Sequence, residues 1–473
     1  MALPNVLQTA KSGMDAAKSA IATAGHNISN ANTEGYSRQR VDVEAKDPYP
    51  TKGSKALIGQ GVDTTRISRV NDHYIEKQIR NNNGELSFLE EKDVLLQQVE
   101  DVFNELDGEG FNRIITNFFN NFRKLANDPN SEALRQSVQE SSKSMVNNFH
   151  RLRNEVNEVK RHIDSKIEGS VREVNSLGKE IKNLNLKIQK TRISGVEPND
   201  LLDKRDLALK KLRSYVDISS FEKPEGSVVI NLKNVGPFVV GPDVEKIEVF
   251  RSPKDNQGKP EGAFDLVTQN SGNTVITHQL EGGRLGALLE ARDSTLDKVI
   301  NRLDELAFGV SRSVNHVHRH GVTRDGVRGI SFFKHINQKE RAAEFIEVSS
   351  EVLGSTNNIA TALQYDSPGD NRVALAISQI QSQKIMNNGH ATLDDWFNAT
   401  VSDVGVQRAN VRNELEQQKG IVNQLNKIRE QISGVSIDEE TANLLQYQHA
   451  FDASAKVIQV ADQMLDTVLN LME

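Results

Sequence analysis

Histidine supplies the first candidate chemistry. In "NHVHRH", residues 315–320, His316, His318 and His320 alternate, and on a helix His316 and His320 share a face at the spacing with which zinc proteases hold their metal. That site also needs a glutamate directly after the first histidine, where Val317 stands, so a wet histidine cluster at a helix end is expected instead. "DGEG", Asp107–Gly110, lacks the alternating oxygen ligands and terminal glutamate of a calcium loop and reads as a turn. "GEGFNRII" and "EGGRLGALLE" put glycine before a helix, without the Lys-Ser/Thr of a phosphate loop or a dinucleotide fingerprint after a strand. No serine sits in a G-x-S-x-G elbow, carboxylates alternate with Lys and Arg as surface charges do, and there is no cysteine. No metal, cofactor or catalytic residue is expected, and the chain reads as a non-enzyme.

The elements that would carry any function are helical. Apolar residues fall at Leu3, Leu7, Ala10, Met14, Ala17, Ile21, Ala24 and Ile28, with spacings alternating between four and three, which is a heptad seam. Tyr447, Phe451, Ser454, Ile458, Ala461, Leu465, Val468 and Met472 repeat the alternation at the other end. Isolated helices of this length are marginal in water, so each stripe requires a partner. Residues from about 65 to 215 read as long helices. Arg151–Lys190 is the clearest, with Leu152, Val156, Val159, Ile163, Ile167, Val174, Leu177, Ile181, Leu184 and Ile188 on one face and charges elsewhere. "GSVVINLKNVGPFVVG" and "KIEVF" are short β-branched runs between glycine and proline, as strands and turns are.

Composition narrows the class. The chain has 473 residues, room for two to four domains, and 37% hydrophobic content is enough for real cores. Only 5% is aromatic, which suits slender bundles and an elongated molecule. A net charge of -7 on mixed charges gives no basic field for a phosphate backbone, so nucleic acid is not an expected partner. "MALPNVLQTAKSGMDAAK" lacks the apolar core of a signal peptide, and no apolar run is long enough to span a bilayer, so membrane insertion is not expected.

"NISNANTEGYSRQ", Asn27–Gln39, ends the first helix with Asn27, Asn30, Asn32, Gly35 and Tyr36, residue types that stop a helix and turn the chain. With its flanks, "GHNISNANTEGYSRQRVDV" resembles the N-terminal signature of bacterial flagellar axial proteins. The C-terminal "GVSIDEETANLLQYQHAFDASAKVIQVADQMLDTVLNLME" resembles that of the flagellar hook-associated protein 1 family. "FFNNFRKLANDPNSEALRQSV", "DLLDKRDLALKKL", "GGRLGALLEARD", "SPGDNRVALA" and "TLDDWFNATVSDVGV" extend the likeness over nearly the whole chain. Glu34 stands where the family usually has proline, and Ser29 where it usually has alanine.

The resemblance implies a structural subunit joining hook to filament, exported without a cleaved signal by the flagellar type III route and located extracellularly in the flagellum. Its implied partners are copies of itself, the hook protein, a second junction protein on the filament side, and a cytoplasmic export chaperone on the C-terminal helix. A hook or distal-rod subunit is the alternative. The expected fold is mainly α with β insertions. Residues 1–40 and 435–473 would pair as a polymerisation core, 41–220, 281–320 and 370–434 would form a central helical bundle, 221–280 a β-rich outer domain, and 321–369 a short irregular or β insertion. The expected assembly and chaperone interface is Leu3, Leu7, Met14, Ile21, Ile28, Tyr447, Phe451, Ile458, Leu465, Val468 and Met472. The motif Asn27, Asn30, Asn32, Gly35 and Tyr36 would be the joint between this core and the outer body.

Overall fold

A computed structural model describes residues 2–50, 57–103, 110–251, 264–269, 272, 274–367 and 369–470, with backbone alone at 2–4, 49–50, 57 and 468–470. It is mainly helical, 67% of the chain, with a few small antiparallel sheets. The helices are α1 (Ala2–Ser29), α2 (His73–Phe103), α3 (Phe111–Asn127), α4 (Glu132–Ile193), α5 (Asn199–Tyr215) and α6 (Gly283–Glu290). After these come α7 (Asp297–His320), α8 (Ala342–Phe345), α9 (Ser350–Gly354), α10 (Arg372–Gln379), α11 (Leu393–Ser433) and α12 (Ile437–Asn470). Two compact units divide the chain. The first holds Met1–Phe88, Ser170–Leu285 and Glu416–Glu473, the second Leu89–Gly169 and Gly286–Leu415.

In the first unit, β1 (Gln39–Ala45) pairs antiparallel with β4 (Val62–Arg69) from Gln39↔Arg69 to Ala45↔Val62, with a bulge between Asp42 and Val43. Between them β2 (Tyr49–Pro50) pairs with β3 (Leu57–Ile58). Helical structure expected from residue 65 therefore starts only at His73. The alternation in "QRVDVEA" and "VDTTRISR" is strand-like, but Val43 and Ile67 face solvent, so no buried stripe marks it.

The larger sheet runs β5 (Ile218–Glu222), β6 (Val228–Leu232), β7 (Gly236–Val240) and β8 (Asp243–Val244) in sequential antiparallel order. A three-stranded sheet orders β9 (Ile247–Arg251), β10 (Phe264–Thr268) and β11 (Thr274–Val275) with β10 central. Both dock on the C-terminal half of α4 by one device. Asn185 donates to the Val228 carbonyl (2.9 Å) and accepts from the Val228 amide (3.1 Å); Asn175 does the same with Ile247 (2.7 and 3.0 Å). Each amide stands in for a neighbouring strand's peptide, satisfying groups that burial would otherwise strand. Gly178 lies between them, where a Cβ would come within 2.8 Å of the Phe238 ring, so only glycine admits that ring.

The second unit gathers phenylalanines that low aromatic content had suggested were too few for a thick core. Phe118, Phe119, Phe122, Phe332 and Phe333 form one buried cluster with edge-to-face and tilted ring contacts. Residues 321–369, which include α8 and α9, are tied to it by two buried bases. Arg135 donates to the carbonyls of Pro129 (2.8 Å) and Ile359 (2.6 Å) and to the Thr361 hydroxyl (3.2 Å), and burial lowers its pKa to about 10. His318 bonds the Ile330 carbonyl through Nδ1 (2.8 Å) and accepts the Ala360 amide at Nε2 (2.9 Å), which fixes it as the neutral Nδ1–H tautomer.

Burial pushes His318 down from 6.5 to about 4. The unfolded chain takes up a proton as pH falls through about 6.5, while the folded one holds out to about 4. This histidine's contribution is therefore intact above pH 6.5 and lost as pH drops to 4, a change of roughly 3 kcal/mol. Urea unfolding followed by the fluorescence of Trp396, which belongs to this unit, should weaken across that window, and His318→Gln should flatten the dependence. Identical pH slopes in the two proteins would refute the assignment.

Candidate assembly interface at the paired termini

Helices α1 and α12 pack side by side in the first unit. Gly13 meets Ser454 and Asn27 meets Glu440, so fourteen residues along one helix match fourteen backwards along the other and the pair is antiparallel. Closest approach belongs to small residues: Ala10, Ala16, Ala17, Ala20 and Ala24 are buried on α1, Ala461 is buried on α12, and a Cβ at Gly13 would sit 3.1 Å from the Ser454 hydroxyl. The large residues expected at this interface are only half covered: Leu7, Met14, Ile21 and Ile28 on α1, and Tyr447, Phe451, Ile458 and Leu465 on α12. The side chains of Leu3 and Val468, and Met472 altogether, lie outside the described residues.

A second apolar face on α12 was not singled out from the heptads. Val457, Val460 and Met464 are 44%, 49% and 54% exposed. The 3–4 spacing of Val457, Val460 and Met464 was the signal available, masked by the stronger seam beside it. Along α1 and α12 runs an apolar groove of about 590 Å³, to which Val6, Thr9, Ile58, Val62 and Val457 contribute.

The joint is a hydrogen-bonded knot centred on Asn27, whose side chain is 1% exposed. Its amide nitrogen donates to the Gln39 carbonyl (2.9 Å) and Glu440 Oε2 (3.0 Å); its oxygen accepts from the Tyr36 hydroxyl (2.8 Å) and the Gln39 amide (2.9 Å). All four bonds that an asparagine amide can make are made. Glu440, itself buried, also takes Arg38 Nε at 2.7 Å, and the Arg38 amide donates to the Ser433 carbonyl at 3.0 Å, so the residue before β1 is tied to both ends of the α11–α12 turn. Burial, reinforced by Asp200, Asp203 and Glu440, pushes the Tyr36 hydroxyl far above its usual range and keeps it a donor.

Asn30 bonds back to the His26 carbonyl (3.0 Å) and accepts from the Thr33 hydroxyl (3.2 Å), closing the last turn of α1. Gly35 adopts φ +81°, and a Cβ there would lie 3.2 Å from Leu207 Cβ on α5. Asn32 is exposed and contributes as a turn residue. Residues not foreseen complete the knot: Asp203 accepts the Ser37 amide (3.0 Å) and Arg69 (2.8 Å), and Arg429 bridges Glu76 (2.7 Å) and the Tyr36 carbonyl (3.3 Å).

The histidines are arranged differently from the expected wet cluster. His316 and His320 are exposed, with rings 5.0 Å apart, while His318 is buried with both nitrogens engaged. Among the described residues no three His, Cys, Asp or Glu side chains are grouped to hold a metal ion, and no helix is long and apolar enough to cross a membrane. The "DGEG" turn lies outside the described residues, apart from Gly110 at the head of α3.

Asn27→Leu would leave the Gln39 amide and carbonyl, the Tyr36 hydroxyl and one Glu440 bond without partners. With about 1–3 kcal/mol for each buried group left unsatisfied, the loss should be at least about 2 kcal/mol. Amide exchange at Gln39 should report it. Ser29→Ala, which removes only a bond to the Gly25 carbonyl within α1, should change little; equal effects of the two variants would show that the knot carries no special weight.

Residues 96–333, just over half the chain, match the family model of the flagellar hook-associated protein FlgK helical domain. Residues 7–36 match that of the flagella basal body rod protein, and 430–471 that of the flagellar basal body rod FlgEFG protein C-terminal region. Flagellar hook-associated protein 1 of Bacillus subtilis is 30% identical over 98% of both chains, and that of Salmonella typhimurium 24% identical over 99% of this chain and all of its own. The solved structure of the flagellar hook junction protein FlgK from Burkholderia pseudomallei superposes with a TM-score of 0.65 over 75% of this chain and 100% of its own, at 17% identity, a likeness of fold. On the helical-domain match and the full-length relative together, the chain belongs to the flagellar hook-associated protein 1 family.

Proposed function

We propose that the chain is a structural subunit of the bacterial flagellum that connects hook to filament, and that it acts by packing and not by catalysis. The observation that supports this reading best is the state of the α1–α12 pair. It closes on alanine and glycine, leaving the larger stripe residues half covered and Val457, Val460 and Met464 open to solvent. Exposed apolar residues at helical spacing call for further helices beside them. Copies of the same chain would supply them in a helical tube, with hook protein at one end and a second junction protein at the filament side.

On this reading residues 1–40 and 435–473 form the polymerising core. Before assembly the same stripe, with Leu465, Val468 and Met472 at its end, would be covered by a cytoplasmic chaperone, and the protein would leave the cell through the type III route. A hook or distal-rod subunit is the weaker reading, because the helical-domain match over 96–333 is to the hook-associated family.

Val460→Glu with Met464→Glu should abolish filament attachment in motile cells, while the Trp396-reported melt of the second unit stays within about 0.5 kcal/mol. Normal filaments on these hooks would rule out the second face of α12 as an assembly surface. Gly35→Val tests the joint separately. A β-branched residue resists φ +81° and would crowd Leu207, a strain of roughly 1–3 kcal/mol. Swimming and filament number should fall while the second unit's melt is unchanged; a matching fall in that melt would remove the case for a separate joint.

A further inference from the structure

We propose that the exposed face of α7, with the loop that follows it, is a binding site for a doubly charged oxyanion of the phosphate monoester type. A cavity of about 560 Å³ lies between them. From α7 it is lined by Arg312, His316, Arg319 and His320, at the spacings that place residues on one face, and from the loop by His335. Among the described residues no carboxylate lines it; the other polar side chains are the neutral Ser311, Asn315 and Asn337.

The two arginines are the decisive residues. Several neighbouring cations are engaged: Arg302 pairs with Asp403, Arg341 with Glu344, and Lys339 with Glu305. Arg312 and Arg319 form no ion pair among the described residues, and Arg312 only lies 5.9 Å over the Phe308 ring, leaving its hydrogen-bond donors available. Guanidinium is always charged and offers a fork of donors matched to an oxyanion, so two of them call for a ligand with two negative charges. The imidazoles add donors around the same space, His320 Nδ1 being already taken by the His316 carbonyl at 2.6 Å.

Offsetting the negative end of the helix dipole would explain Arg319 and His320, which sit in the last turn. It explains neither Arg312, two turns earlier, nor His335, which comes from another segment. Convergence of both on one cavity is what an anion site requires.

Calorimetric titration of the full-length protein with inorganic phosphate and with methyl phosphate, in a low-salt buffer without oxyanions, tests this. Both should bind saturably, and acetate and dimethyl phosphate, with one charge, at least about tenfold more weakly. Arg312→Gln with Arg319→Gln should lower phosphate affinity about tenfold or more, whereas Arg40→Gln, an exposed arginine of the other unit, should leave it unchanged. If the double variant fails to fold, perturbation of the His316 and His320 ring proton signals by phosphate in the unaltered protein decides instead. No saturable binding up to about 20 mM, acetate binding as tightly as phosphate, or full affinity in the double variant would overturn the proposal.

Discussion

A helix has no spare backbone groups with which to hold an extended strand, and this protein meets that constraint repeatedly with buried asparagine. Asn27 with Gln39, Asn175 with Ile247, Asn185 with Val228 and Asn315 with Phe333 each return both the amide and the carbonyl of one residue. The asparagine amide carries one donor edge and one acceptor edge, as a peptide does, and its short side chain holds them close to the helix surface. Each pair therefore fixes which residue of the extended segment lies against which helix turn. A strand that slipped by one residue would break both bonds and turn its apolar side chains outward.

The units differ in what fills the space those bonds define. In the second, phenylalanines interlock around Phe118 and Phe332, and Arg135 and His318 fix loop carbonyls and amides against them. The terminal pair is built from alanine, so its helices lie close but bury little per residue. Area removed from water, at about 25 cal/mol per Å², favours the phenylalanine core over the alanine seam. The half-covered stripe follows from the same choice: residues small enough to let two helices meet leave their larger neighbours at the edge of the contact.

Periodicity made α4 legible, since all the apolar residues named on its face except Val159 are buried. "NISNANTEGYS" was legible as a turn because asparagine and glycine have local backbone reasons to be there, and Gly35 takes the positive φ that its type permits. Long-range pairing was not legible in that way. Asn27 could be read as a helix stop but not as the partner of Glu440, 413 residues away, and nothing local sets Asp203 beneath Ser37. Nor could a heptad pattern say that Ala17 and Ala24 would be buried while Met14 and Ile21 were not, because it records which residues share a face and not how near the partner comes. His318 eluded the sequence for a related reason: its two flanking histidines are exposed, and only the loop carbonyl and amide that it bonds distinguish it.

The polar and apolar parts of the terminal pair act at different places along it. Where α1 ends and α12 begins, Asn27, Arg38 and Glu440 hold each other in bonds that depend on exact geometry and are shielded from water. Between the knot and the contact of Gly13 with Ser454 lie the buried small residues Ala16, Ala17, Ala20 and Ala24, whose individual contacts are weak. The knot fixes the attachment of the pair to β1 and α5. Polar bonds thus set the register of the pair at one end, while small residues set how closely the two helices approach along its length.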